Sequence, residues 1–369
     1  MPIMPTPIKI LFAAAAGFEA ARHLPALPAG HRSRRLHGHS FLAQVRCALP
    51  AGWAHFPGGE VERLREALAA RIAPLDYRLL NDQHAEPTDE NLARWLRQQL
   101  DLPSIEQMGV QSTAHEGVDL DADGAAHLWR RYAFQSAHRL PNVAAGHPCG
   151  RMHGHGFEVT VHARQALGAG DQTIDHDHLD TLWAPLHAAL HHSGLNDLPG
   201  LHNPTSEVLA GWIWQRLQAA LPTLSWVTVY ETGSCGASFD GQHYRIWKAL
   251  TLDSALQRKR APAGSPLRRT HGHTYTLRLH LCAPLDEVMG WTVDFGDVKA
   301  AFNPIFKLLD HQPLHEMTEL VDCDTASIAR WIGASAGALL PQLDRVDLFE
   351  TRGCGAIALL GGAAPALPV

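Results

Sequence analysis

Two histidines separated by one glycine recur three times along the chain, and the middle pair is the best candidate for chemistry. His153 and His155 flank a glycine. Alternate residues of a β-strand point to the same face, so the pair would present two imidazoles side by side. We expect the third ligand from the adjacent antiparallel strand, where His138 lies. An isolated pair of this kind usually faces solvent, but three histidines with an open fourth position describe a catalytic zinc site, and we predict Zn²⁺ here.

A thiol lies close to this histidine pair in the sequence. Cys149 precedes His153 by four residues, so a connecting loop could place its sulfur over the metal. A zinc ion and an imidazolium nearby would lower the pKa of the thiol and give a thiolate able to abstract a proton. The spacing is equally compatible with an ordinary buried thiol.

The surroundings of the histidine pair are repeated. Residues 18–41 and 134–157 align without a gap and are identical at half of their positions, and a third His-Gly-His begins at His271. The segments PTDENLARW at 87–95, PTSEVLAGW at 204–212 and DTASIARW at 324–331 follow in the same order. Such self-similarity indicates tandem copies of one unit. We predict three domains, at 1–118, 119–243 and 244–369.

Each copy is predicted to be a small α+β unit. Alternating apolar residues before the repeated helix, and VTVYETGSCGA at 227–237 after it, are typical of strands. The pattern predicts β-β-α-β, with a second helix near 178–191 and 297–309. In the middle copy Asn203 is the expected N-cap, with Pro204 at the first helical position.

Composition excludes several classes of protein. With 46% hydrophobic residues, 18% charged residues and a net charge of -6, the chain is typical of a globular protein without the cationic surface that nucleic acid requires. No apolar run reaches the roughly 18 residues of a membrane helix. The apolar stretch 10–18 resembles a signal peptide, but one lysine precedes it and it continues into repeated sequence. Six scattered cysteines fit free thiols, so we expect a cytoplasmic protein.

The middle copy resembles a known enzyme family. The strings AHRLP, GHPCGRMHGH and LNDLPGLHNPTSEVLAGWIW, followed by ET at 231–232, are similar to the 6-pyruvoyl tetrahydropterin synthases, and most closely to their 6-carboxytetrahydropterin branch. The resemblance implies the tunnelling fold, an antiparallel sheet with two helices on one face, three of which close a barrel. Here the three copies would form an intramolecular pseudo-trimer, and two chains are expected to stack as a homodimer.

The resemblance also implies roles for individual residues. It implies a zinc held by His138, His153 and His155, Cys149 as the base, and Glu231 as the anchor of a pterin ring. A carboxylate can accept two parallel hydrogen bonds from the pterin edge, whereas a plain surface glutamate is the alternative. Glu350 is the equivalent of Glu231 in the third copy and would serve the same purpose.

The three copies differ in what they retain. Against the family pattern the first copy has Arg22, Ser33, Asp76 with Tyr77, and Ser112 in place of a zinc ligand, the cysteine, the Asp-His pair and the glutamate. The third copy has Leu256 and Leu267 at the ligand and cysteine positions but keeps Asp310, His311 and Glu350. The middle copy has His191 and His192 where the family has Asp-His.

These differences are complementary. The family supplies its Asp-His pair across a subunit interface, so Asp310 and His311 are predicted to complete the middle site, while His192 acting locally is the alternative. The implied reaction converts 7,8-dihydroneopterin triphosphate to 6-carboxy-5,6,7,8-tetrahydropterin. Elimination of triphosphate to give the 6-pyruvoyl product, and a non-catalytic pterin-binding, zinc-binding or scaffold role, are the other possibilities.

Overall fold

The computed structural model describes residues 8–165 and 175–361. In these ranges twelve long strands form one closed barrel, and six α-helices pack against it. Every neighbouring pair of long strands is antiparallel, and the last strand pairs with the first. The first copy contains β1 (Lys9–Arg22), β2 (His37–Cys47), α1 (Glu60–Ile72), β3 (Arg78–Leu79), α2 (Asp89–Leu100), β4 (Ile105–Thr113) and β5 (Glu116–Leu120). The predicted α+β class and pseudo-trimeric barrel are therefore confirmed.

The other two copies repeat this order. The middle copy contains β6 (Ala126–His138), β7 (His153–Arg164), α3 (His176–Leu190), β8 (Ser193–Gly194), α4 (Ser206–Leu217), β9 (Leu224–Thr232) and β10 (Cys235–Phe239). The third contains β11 (Tyr244–Leu256), β12 (His271–Cys282), α5 (Phe295–Leu309), α6 (Thr325–Gly337), β13 (Leu343–Thr351) and β14 (Cys354–Leu359). The short strands β3 and β8 add to the edges of β1 and β6 in parallel.

The predicted order β-β-α-β lacked one strand. The run 227–237 is not one strand, because it turns at residues 233–234 and returns as β10. Each unit is therefore β-β-α-α-β-β, and both helices of each unit pack on one face of its sheet. The predicted boundary after residue 118 lies inside β5, so we propose to place the limits of the units at the loops 121–125 and 240–243.

Helix α4 begins later than expected. Its N-cap is Thr205, whose hydroxyl accepts a hydrogen bond from the Val208 backbone N–H at 3.1 Å. Asn203 and Pro204 precede the helix instead. This offset leaves the Pro204 carbonyl free to accept a hydrogen bond from outside the helix, and that carbonyl contacts the candidate metal site.

Strand alternation gives the barrel two different faces. On the outer face Phe134 and Phe157 stack at 5.1 Å between ring centroids and pack against the helices. Each such buried apolar side chain stabilises the fold by about 1.5–3 kcal/mol. The inner face carries buried polar residues instead, among them Asp347, which accepts hydrogen bonds from Arg345 at 2.6 and 2.8 Å. The barrel interior thus contains buried ion pairs.

Other sequence expectations have a clear place in the fold. Residues 10–18, the stretch that resembles a signal peptide, lie within β1. All six cysteines are free thiols. None of the helices in the described ranges has the length and apolar character needed to span a bilayer.

Candidate metal centre and substrate pocket

Three histidines meet on the outer face of the middle hairpin. In the β6–β7 ladder His138 pairs directly with His153, and His155 follows two residues later on the same face. The His138 ring centroid lies 4.5 Å from that of His153 and 5.2 Å from that of His155. The antiparallel register therefore assembles the trio that spacing alone suggested.

Backbone carbonyls orient two of these rings. Nδ1 of His138 lies 2.9 Å from the Pro204 carbonyl, and Nδ1 of His153 lies 2.8 Å from the Arg151 carbonyl. A ring that donates through Nδ1 presents the lone pair of Nε2 on the other side, as metal-binding histidines do. Burial lowers the pKa of His138, which favours the neutral ring that a metal needs.

The Nε2 atoms of this trio have the character of unused ligands. Nε2 of His138 and Nε2 of His155 are buried and have no hydrogen-bond partner within residues 8–165 and 175–361. One ligand atom from each histidine and one carboxylate oxygen of Glu231 lie within 4.8 Å of one another. Buried polar atoms are rarely left unpaired, so a cation at their centre fits these residues.

Glu231 borders the trio and is already partly engaged. Its Oε1 lies 3.4 Å from Nε2 of His155, and its Oε2 accepts a hydrogen bond from the Ser206 hydroxyl at 2.7 Å. Burial raises the pKa of Glu231, but the nearby His155 ring and the Ser206 hydroxyl together outweigh burial and leave this pKa below its ordinary value. The residue is therefore a carboxylate, able to anchor a ligand or to approach the metal itself.

Cys149 lies in a short 3-10 turn just before β7. Its backbone N–H donates to Nδ1 of His147 at 3.2 Å, which caps this turn. Burial, followed by the charges of Glu231 and Asp294, raises the pKa of the Cys149 thiol. The lowered pKa that we predict for Cys149 depends on a bound zinc ion, whereas the protein groups alone raise this pKa. A cation in the histidine trio would therefore be needed to favour the thiolate.

A segment of the third copy covers this site. Residues 286–294 pack against the start of α4, where the buried Glu207 accepts hydrogen bonds from the Thr292 backbone N–H at 2.8 Å and the Thr292 hydroxyl at 3.2 Å. Burial raises the pKa of Glu207 to about 7. Asp294 Oδ2 lies 3.7 Å from His147 Nε2. The position of residues 286–294 along the chain did not predict that they border the middle site.

The Asp-His pair of the third copy lies elsewhere. Asp310 accepts a hydrogen bond from the Asp253 backbone N–H at 3.0 Å, and His311 Nδ1 lies 2.8 Å from Asp310 Oδ2. The hydrogen bond with Asp310 raises the pKa of His311. His311 has a left-handed backbone at φ 56°, and 77% of its side chain is exposed. The contacts that the structure gives this pair are within its own copy.

His192 occupies the same position in the middle copy. It too is left-handed, at φ 59°, and its backbone N–H donates to the Gln135 carbonyl at 2.7 Å. Its ring stacks on His191 at 3.8 Å between centroids. Within the described ranges the structure brings neither His192 nor His311 into contact with Cys149.

The site of the third copy is occupied by an arginine. Arg258 follows two residues after Leu256 and is 3% exposed, and its Nη1 donates to Glu62 of the first copy at 2.9 Å. Its Nη2 also donates to the Gly58 carbonyl. Glu350 accepts a hydrogen bond from Thr325 at 2.8 Å, as Glu231 does from Ser206. Burial, then the charge of Glu62, raises the pKa of Glu350. An internal cation thus joins the third copy to the first.

Replacing Arg258 with methionine should lower the free energy of unfolding by about 3 kcal/mol, because the buried carboxylates around it would lose their cation. Chemical denaturation would measure this. Lys9→Met is the matched control: Lys9 pairs with Glu106 at 2.6 Å but is half exposed, so its loss should cost under about 1 kcal/mol. Equal small effects in both variants would contradict the structural role of Arg258.

Comparison with known proteins agrees with the repeat. The family model described as 6-pyruvoyl tetrahydropterin synthase matches residues 13–114, 127–242 and 245–359. The 6-carboxy-5,6,7,8-tetrahydropterin synthase of Synechocystis sp. is 34% identical over 122 residues, which cover 30% of this chain and 91% of that protein.

Similarity to solved structures is weaker. The 6-pyruvoyl tetrahydropterin synthase of Caenorhabditis elegans has a TM-score of 0.28 and 15% identity over 30% of this chain and 92% of its own. Uricase from Arthrobacter globiformis has a TM-score of 0.33 and 10% identity over 60% of this chain and 80% of its own. The likeness of the chain to known proteins therefore rests on the sequence matches.

Proposed function

Because the chain belongs to the 6-pyruvoyl tetrahydropterin synthase family, we propose that it is a zinc-dependent lyase acting on 7,8-dihydroneopterin triphosphate. The proposed product is 6-carboxy-5,6,7,8-tetrahydropterin, which would make the chain a cytoplasmic enzyme of the queuosine type of pathway. The observation that carries the proposal is the cluster of His138, His153, His155 and Glu231, whose ligand atoms lie within 4.8 Å of one another. The name of the 34% identical relative supports the carboxy product.

The donor set favours zinc among the metals that this site could take. Three neutral imidazoles with room for a further ligand are the arrangement of catalytic zinc. Zinc bound there would act as a Lewis acid on the side-chain hydroxyls of the substrate. The protein contributes fixed ring orientations, since the carbonyls of Pro204 and Arg151 hold two of the imidazoles.

The remaining residues bind the substrate and move protons. Glu231 would accept hydrogen bonds from the amino and ring N–H groups of the pterin, because each of its oxygens retains a free lone pair. Cys149, on the turn beside β7, would take the proton from the side-chain carbon. The third-copy segment 286–294 would form the wall of the pocket and help to hold the substrate beside Cys149.

Asp310 and His311 are proposed to relay the proton from Cys149, supplied by a second chain. Their contacts lie within their own copy and His311 is exposed, so this pair is free to enter a neighbouring molecule. Three large apolar residues, Leu36, Met152 and Tyr77, are exposed as well and could contact a second chain. Tyr77 is the first-copy equivalent of His311. We therefore propose a homodimer of pseudo-trimers in which the middle copy of one chain faces the third copy of its partner.

Mixing two inactive variants would test this arrangement. Cys149→Ala and His311→Ala chains should each be inactive. Co-expressed, they should regain up to about a quarter of wild-type turnover, because half of randomly formed dimers are mixed and one of their two sites is intact. A mixture of Cys149→Ala with Glu231→Gln is the matched control and should stay inactive, since both changes affect the middle copy. No recovery in the first mixture would show that the second chain does not supply the pair.

Mass analysis of the product tests the reaction itself. The zinc-loaded chain given 7,8-dihydroneopterin triphosphate should take up one water molecule and yield the 6-carboxy product, a two-carbon fragment and triphosphate. A 6-pyruvoyl product would favour the alternative elimination. An unchanged substrate together with saturable pterin binding would favour the non-catalytic alternative.

A further inference from the structure

The degenerate first copy borders a cavity that the proposed lyase reaction does not use. Its volume is about 720 Å³, within the range of small-molecule sites. Arg22, His39 and Asp89 of the first copy line it, together with His176 and Asp177 of the middle copy. The cavity occupies the same place relative to the first copy as the candidate active site does relative to the middle copy.

A carboxylate is present in this cavity despite the loss of the family glutamate. Strand register places Ser112 at the position of Glu231, because Gln111 pairs with Leu42 as Tyr230 pairs with Glu158. The Ser112 hydroxyl donates to Asp89 Oδ2 at 2.7 Å.

In the middle copy the same bond runs the other way. There the Ser206 hydroxyl donates to Glu231, also at 2.7 Å, and Ser206 holds the helix position of Asp89. The hydroxyl and the carboxylate have exchanged places between the two copies, so the first copy also has a carboxylate at this point.

In the first copy the guanidinium of Arg22 takes the place of the His138 imidazole. Arg22 pairs with His37 in the β1–β2 ladder as His138 pairs with His153. Arg22 Nη1 donates to the Pro87 carbonyl at 2.9 Å, as His138 contacts the Pro204 carbonyl.

The Arg22 guanidinium lies close to His39, one of the two histidines that the first copy keeps. Arg22 Nη2 lies 3.5 Å from Nε2 of His39. Arginine is always charged in proteins, so a permanent positive charge stands where the middle copy would hold its cation.

We infer that this cavity is a second, non-catalytic site for a pterin with an anionic substituent. Asp89 would accept the ring donors and Arg22 would pair with the substituent, such as the carboxylate of the product. This inference rests on the proposed function for the choice of pterin. Both groups keep capacity for a ligand: each Asp89 oxygen accepts one bond within the protein, from Arg22 or from Ser112, and the 3.5 Å contact of Arg22 Nη2 with His39 leaves this nitrogen able to donate. Ser33 stands at the position of Cys149, so the ligand would be bound without turnover.

Calorimetric titration with 6-carboxypterin tests this site. The wild-type chain should bind two equivalents. The Glu231→Gln chain, with its middle anchor disabled, should retain one equivalent and bind unsubstituted pterin at least tenfold more weakly, because the guanidinium then has no anion to pair with. Adding Arg22→Met with Asp89→Asn should abolish the remaining binding. The two changes are made together so that neither charge is left buried alone.

Unfolding curves and metal content show whether these variants fold. The Glu231→Gln chain has an unaltered first copy. If it bound no 6-carboxypterin, or bound pterin and 6-carboxypterin equally well, this result would overturn the inference. So would binding that survives the Arg22 and Asp89 changes. Failure of the proposed function looks different: the wild-type chain would form no lyase product while binding that depends on Arg22 persists.

Discussion

Replacing His138 with alanine should remove the metal from the chain and reduce turnover by at least about a thousandfold. Two rings cannot hold zinc as three do, and the reaction depends on the Lewis acid. Elemental analysis should give one metal per wild-type chain and close to none in the variant. The metal-free variant should still unfold cooperatively but at a lower temperature than the metal-free wild type, because the His138 ring is buried and contacts the Pro204 carbonyl.

The first and third copies offer matched controls for this experiment. His37→Ala and His271→Ala remove the equivalents of His153 in the other two copies. These copies have Arg22 and Leu256 at the position of His138. Both variants should keep one metal and near-normal turnover. Two or three metals in the wild-type chain, or loss of metal in either control, would contradict the assignment of the site to the middle copy.

Replacing Cys149 with alanine should reduce turnover by about 10²–10⁴-fold, the usual contribution of a general base, with metal content unchanged. The thiol needs the bound cation to overcome burial and the neighbouring carboxylates, which together raise its pKa. Steady-state kinetics should show the loss in kcat, with KM for the substrate nearly constant, since Glu231 and the metal still bind it.

Cys282→Ala is the control for this second prediction. Cys282 is also partly exposed and ends the equivalent strand β12 in the third copy, away from the histidine trio. Its replacement should leave turnover within about twofold of wild type. A Cys149→Ala chain with wild-type kcat would remove the thiol from the mechanism and favour a binding or scaffold role.

The arginines explain why two copies could lose the metal and keep their fold. Arg22 forms a buried ion pair with Asp89 at 2.6 Å, and Arg258 forms one with Glu62. A buried carboxylate without a cation would be costly, so each degenerate site is stabilised by an internal positive charge. In the middle copy, by contrast, Nε2 of His138 and Nε2 of His155 are buried without a hydrogen-bond partner among the described residues.

The sequence by itself determined the repeat, the class of fold and the histidine trio. Half-identical segments define copies of one unit, and residues two apart on a strand share a face whatever surrounds them. His153 and His155 therefore lie side by side in any fold that makes this segment a strand. The pairing of these two rings is a local property, because it depends on spacing along one strand, whereas His138 joins them from the adjacent strand.

Only the tertiary structure decided which copy meets which site. Residues 286–294 lie far from Cys149 in sequence, and only the packing of the third copy beside the middle copy brings Thr292 to Glu207. The hydrogen bond between Ser112 and Asp89 could not be predicted from the sequence either. Ser112 lies at the end of a strand and Asp89 at the start of a helix, and the two meet only when these elements pack together. Contacts between distant segments depend on how the whole barrel closes, and for that reason spacing could not predict them.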